Sequence, residues 1–140
     1  MSGLILRPDV IDKFSPQHVS TSGGVNEVWE IRKGRCNIRK AGERVLLLTS
    51  GSAHRENTWL AKYVGEWVED TQLDTDSFEA NLDKIRVSLA AARSILKLPA
   101  DGTGDSKMRA WKFTNVVAMS PARLYPSKEL RSKARYPFRP

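Results

Sequence analysis

Val25-Asn26-Glu27-Val28-Trp29-Glu30-Ile31-Arg32-Lys33 is the stretch on which the fold turns. It reads as a strand. A strand sends alternate side chains to opposite faces, so Trp29 and Ile31 share one face and Glu30 and Arg32 the other. An acid and a base placed side by side on a sheet surface add little to a core. They orient each other and can hold a polar ligand.

The chain around this strand has 140 residues, which fits one domain with a core that needs no covalent staple. Cys36 is the single cysteine, so an internal disulfide and a multi-cysteine zinc site are both excluded. A lone thiol fits a reducing compartment and reads most simply as a small half-buried residue. No run approaches the roughly 18 apolar residues of a membrane span. The first residues, Met1 to Arg7, are charged too soon for a signal peptide and read as a first strand. The expectation is an intracellular protein, cytoplasmic or nuclear, with no membrane partner.

The net charge of +7 is segregated. Arg32 to Lys40 holds five bases (Arg32, Lys33, Arg35, Arg39, Lys40) and no acid. Val64 to Asp83 holds seven acids and no base, and from Pro121 onward six bases face one acid. A clustered basic surface is the electrostatic footprint of a polyanion ligand. The plainer alternative is solvated charge that keeps the domain soluble.

Taken in order, Gly3 to Arg7 reads as a short strand and Pro8 to Phe14 as a short helix, since Pro suits a first turn. Gln17 to Gly24 is a polar loop leading into the opening strand. Arg44 to Ser50 is apolar on both faces, as in a strand buried on both sides. Thr58 to Glu69 reads as a strand bent or bulged at Gly65. Asp76 and Glu79 form a capping-box-like start for an amphipathic stripe of Phe78, Leu82, Ile85, Leu89, Ala92 and Leu96, with a break near Val87-Ser88. Arg109 to Met119 reads as the last strand. Pro121 to Pro140 reads as an arm outside the core. Strands separated by helices in this order suggest a small mixed barrel, and nothing repeats internally.

Gly3-Leu4-Ile5-Leu6-Arg7-Pro8 with the helix after it, then Trp29-Glu30-Ile31-Arg32, then Gly42-Glu43-Arg44-Val45-Leu46-Leu47-Leu48-Thr49-Ser50, resembles the start of an ASCH domain, a family of the PUA-like superfamily. The signature of that family is a Gly-x-Lys-x-x-Glu-x-Arg strand after a first helix, followed by a Gly-[Asp/Glu]-x-hydrophobic strand. Trp59 to Val68 lies where the next strand of the family lies. Ala110-Trp111-Lys112-Phe113-Thr114-Asn115-Val116 resembles its closing strand. The resemblance covers about residues 3 to 125. It implies an α+β fold, a small PUA-like mixed β-barrel of about five to six strands with two or three flanking helices. Residues 1–125 would be the ASCH-like domain and 126–140 a basic C-terminal arm. One departure bears on chemistry: Val25 stands at the Gly of the signature and Glu27 at its Lys. Some members are amidohydrolases of acetylated cytidine that use this Lys with a Thr and a Glu, and Glu27 cannot replace an amine. Ribonuclease activity, also described in the family, stays open as the enzyme alternative.

The expected function is therefore nucleic-acid binding through a basic cleft, with RNA favoured over DNA. The candidate residues are Glu30, Arg32, Lys33, Arg35, Arg39, Lys40, Ser50, Arg55 and Trp59. The bases would hold phosphates, since Arg donates in a fixed fork. Trp59 would stack on a base or fill the core, both being ordinary uses of Trp. Glu30 and Arg32 would contact a base, or pair with each other and shape the rim. Ser50 could offer its hydroxyl to a ligand or lie in a plain turn. His18 and His54 lack metal-ligand spacing, so no metal or cofactor is expected. The acidic 66–83 stretch could instead serve a protein partner.

Overall fold

The computed structural model describes residues 2–15, 27–36, 38, 40–50 and 58–126. Among these residues five strands form one mixed sheet: β1 (Ser2–Ile5), β2 (Val28–Lys33), β3 (Arg44–Ser50), β4 (Thr58–Gln72) and β5 (Met108–Pro126). Their order is β1-β3-β4-β5-β2. β1 lies parallel to β3, and the remaining neighbours are antiparallel. The strand at the centre of the sequence argument, β2, thus lies at one edge and β1 at the other. The two do not pair, so the expected barrel is an open sheet. What stands between them is a side chain, Arg32, which donates to the Ile5 carbonyl.

Arg44 to Ser50 forms a strand as expected, and Leu46, Leu47 and Leu48 are all buried because both of its faces are covered. β4 shifts register between Val64 and Glu66, at the glycine expected to bend it. A Cβ on Gly65 would stand 3.3 Å from Val116 Cγ2, so the bare backbone allows β5 to pass closely. β5 runs further than its apolar pattern indicates. Pairing with β4 carries it through Pro121 to Pro126, although these last residues are largely exposed.

The amphipathic stripe folds as three short helices, α1 (Thr75–Ala80), α2 (Leu82–Ile85) and α3 (Leu89–Ile95). Asp74, not Asp76, caps α1 by accepting from the Ser77 N–H at 2.7 Å. Arg86 in the left-handed region (φ 61°) ends α2, and Ser88 caps α3, which places the break where Val87-Ser88 indicated. Phe78, Ile85, Ala92 and Leu96 pack on Trp29, Ile31, Met108 and Ala110. Each large apolar side chain buried there contributes about 1.5–3 kcal/mol.

On the other side of β2, Leu4, Leu6, Val45 and Leu47 share a core with Phe14, Trp67 and Trp111. Phe113 makes edge contacts there with Phe14 (6.0 Å between centroids) and Trp67 (5.5 Å). A third cluster, Ile5, Leu46, Leu48, Ala61 and Val64, lies on the opposite face of β1 and β3. The expected first helix is a turn over residues 8–10 and a 3-10 turn at Ile11–Phe14. Among the described residues no helix is long and apolar enough to cross a membrane.

Candidate ligand cavity

Glu30 and Arg32 project from β2 on the side facing that 3-10 turn, and both are buried. A buried carboxylate needs partners, because its desolvation costs several kcal/mol. Glu30 has three. Its Oε1 accepts from Lys13 Nζ at 3.0 Å and from the Ile31 N–H at 3.2 Å, and Oε2 accepts from Arg32 Nη2 at 3.4 Å. Burial raises the pKa of Glu30, but the charges of Lys13 and Arg32 outweigh it and leave the carboxyl below its ordinary value.

Lys13 is the member of this group that sequence reasoning missed. Its amine also donates to the carbonyls of Trp29 (2.8 Å) and Ile85 (3.4 Å). Three donors meet three acceptors, the geometry of an ammonium. Burial draws Lys13 below its usual value, and Glu30 opposes that shift. The turn that carries it is anchored on both sides. Asp12 accepts from Lys62 Nζ at 2.6 Å and from the Tyr63 hydroxyl at 3.1 Å, and Arg86 donates to the Lys13 carbonyl at 2.6 Å. The signal available in the sequence was Glu30 itself: an acid between Trp29 and Ile31 must find a cation if the strand is buried.

Arg32 donates to the Ile5 carbonyl at 2.8 Å and lies 5.6 Å from the Trp111 ring. Beside it opens a cavity of about 310 Å³, at the seam where the sheet fails to close. That volume is at the lower end of pockets for small organic ligands, about 300–1,000 Å³. Lys13, Glu30 and Arg32 line its polar end, and Val10, Val87, Ile95 and Leu96 its aliphatic walls. Arg7, Lys33 and Lys97 add three further cations. Among the described residues lining it there is no Ser, Thr, Cys, His or Tyr.

Of the residues singled out from the sequence, Glu30, Arg32 and Lys33 meet at this cavity. Arg35 and Lys40 are exposed on the connection after β2, and Ser50 is exposed at the end of β3; none of the three lines the cavity. Arg39 and Arg55 lie outside the described residues. Trp59 packs against the third cluster with Met119 and Tyr125, away from the cavity lining.

Much of the acidic stretch is engaged within the chain: Glu69 pairs with Lys112 at 2.9 Å and Asp70 with Arg109 at 2.8 Å, while Asp74 caps α1. Asp70 also accepts from the Cys36 N–H at 2.9 Å. Burial pushes the Cys36 thiol up to about 11, so it stays protonated at neutral pH. No group of three or more metal-ligating side chains occurs among the described residues.

No protein-family model matches the chain, and no curated protein matches it in sequence. Among solved structures it is similar to a point mutant of ZmASCH from Zymomonas mobilis, with a TM-score of 0.58 at 12% identity. The match covers 93% of this chain and 78% of that one. At this identity the likeness concerns the fold, and it agrees with the strand order that the short motifs suggest. The chain has an ASCH-type fold.

Proposed function

We propose that the protein is an ASCH-type module that binds single-stranded nucleic acid, RNA in preference to DNA, by admitting one unpaired base into the seam cavity. The observation that carries this reading is the charge arrangement: five cations and one carboxylate around a small aliphatic-walled cavity. Arg7, Lys33 and Lys97 would meet phosphates. Arg35, Arg39 and Lys40, which follow β2 in the chain, would meet the phosphates beyond. The base would lie against aliphatic walls, not on Trp59.

Binding is favoured over hydrolysis because the acid and base at the polar end are already paired. Lys13 has three acceptors and Glu30 three donors, which leaves neither as a ready proton acceptor. The test is an electrophoretic shift of labelled single-stranded RNA at low and moderate salt, with and without magnesium. A salt-sensitive shift with intact RNA supports the module. Cleavage that disappears in Lys13→Ala would replace it with the ribonuclease alternative. No shift at low salt would remove nucleic acid as the ligand.

A further inference from the structure

We infer that the open edge of β2 reads the imide edge of a uracil-type base. This rests on the proposal that the cavity takes an unpaired base. Residues from both faces of β2 line the cavity: Ile31 belongs to the side packed on the helices, Glu30 and Arg32 to the other. A cavity that touches both faces of a strand meets its edge.

Among the described residues β2 pairs with β5 along one edge only. On the other edge the Trp29 carbonyl accepts from Lys13, and the Ile31 N–H donates to Glu30. In an antiparallel pair the N–H and C=O of one residue point the same way and alternate along the strand. Trp29, Ile31 and Lys33 therefore turn their backbone groups toward the seam. The Ile31 C=O and the Lys33 N–H come next on that edge, and among the described residues neither has a partner. One acceptor and one donor are too few for an added peptide strand, which needs a row of them. Lys13 closes the edge at Trp29, and Gly34 turns the chain at φ +89° just past Lys33. The opening suits a single base.

The donor and acceptor inventory selects which base. Arg7, Lys33 and Lys97 offer only donors, and Glu30 already accepts three hydrogen bonds, from Lys13, Ile31 and Arg32. Along the strand edge, among the described residues, a ligand meets one open backbone acceptor, the Ile31 C=O, among several donors. Uracil carries one ring N–H between two carbonyl oxygens. Its N–H would donate to Ile31, one carbonyl would accept from the Lys33 N–H, and the other would face the cations. Cytosine and adenine place an exocyclic amino group on this edge and bring the extra donor toward the cations.

The test is fluorescence anisotropy with equal-length labelled strands of uridine, cytidine, adenosine, 3-methyluridine and abasic ribose. Uridine should bind at least about tenfold more tightly than 3-methyluridine, which loses the ring N–H, leaves a buried acceptor unpaired and sets a methyl group against it. On the protein side, Lys33→Pro removes the N–H, whereas Lys33→Ala keeps it and removes only the charge. Lys33→Pro should bind uridine more weakly than Lys33→Ala, with no difference between them on the abasic strand. Equal binding of uridine and 3-methyluridine would overturn the inference whether or not the proline variant folds. Abasic ribose binding as well as uridine would also overturn it while leaving phosphate binding in place. If no strand binds, the cavity proposal itself has failed.

Discussion

Arg32, on one edge strand of the open sheet, donates to the carbonyl of Ile5, on the other, at 2.8 Å. A single side chain spans the gap that a strand ladder would close in a barrel. The same guanidinium meets the Glu30 carboxylate, so the seam and the cavity share one group. Replacing it should loosen both. Arg32→Met is expected to cost about 2–4 kcal/mol, because it leaves a buried carbonyl unpaired and strips one cation from a buried carboxylate. A urea titration with unchanged slope and a lower midpoint would show it.

Lys13 and Glu30 form the most buried ion pair described in the chain, with side chains 6% and 7% exposed. Lys13→Met alone should destabilise by about 3–5 kcal/mol, since it leaves a buried charge short of its partner. Combining it with Glu30→Gln should cost less than the sum of the two single changes. A double-mutant cycle reads that coupling, and strict additivity would contradict the pairing.

The low value of Glu30 sets an acid limit on stability. Burial raises it, the charges of Lys13 and Arg32 lower it by more, and the net direction is down. A depressed carboxyl contributes stability above its unfolded value of about 4.3 and loses it as the pH falls through the folded value. The melting temperature should therefore drop below about pH 4.3 in the wild type, and more gently in Glu30→Gln. Identical acid profiles would show that Glu30 does not titrate with folding.

With Arg7, Lys33 and Lys97 on phosphates and Arg35, Arg39 and Lys40 on those beyond, the affinity for single strands should fall with salt at a log–log slope of about −4. Lys97→Ala should make that slope shallower by about 0.7. Binding measured across a salt series gives both.

Trp59 packs on the third cluster, away from the cavity lining. Trp59→Ala should lower stability by about 1–3 kcal/mol, less than for a fully buried Trp, and leave RNA affinity within about twofold. A large loss of affinity at unchanged stability would return Trp59 to the binding surface.

Strand positions were legible where periodicity was strong. Arg44–Ser50 and the start of β4 follow from their apolar runs, and Gly65 marks the bend because a side chain there would crowd Val116 of β5. The ends were less legible. β5 extends to Pro126 by pairing with β4, which composition does not reveal. The open sheet was hidden for a related reason: nothing in β1 or β2 states that they fail to pair, and Arg32 bridges them through its side chain. Glu30 and Arg32 were visible as a pair. Lys13 was not, because its partner lies 17 residues away and it sits within an apolar turn. Trp59 was the residue whose setting the sequence left most open, since a strand-end Trp can stack on a ligand or pack on its own sheet.

The most direct test of the cavity as the ligand site is a ¹H–¹⁵N NMR titration of the full chain with oligouridine at low salt. The shifts should concentrate at the amides of Arg7, Ile31, Lys33, Leu96 and Lys97, with Trp59 and Leu60 unmoved. Shifts gathered instead along β4 and the second half of β5, or none at all, would contradict it.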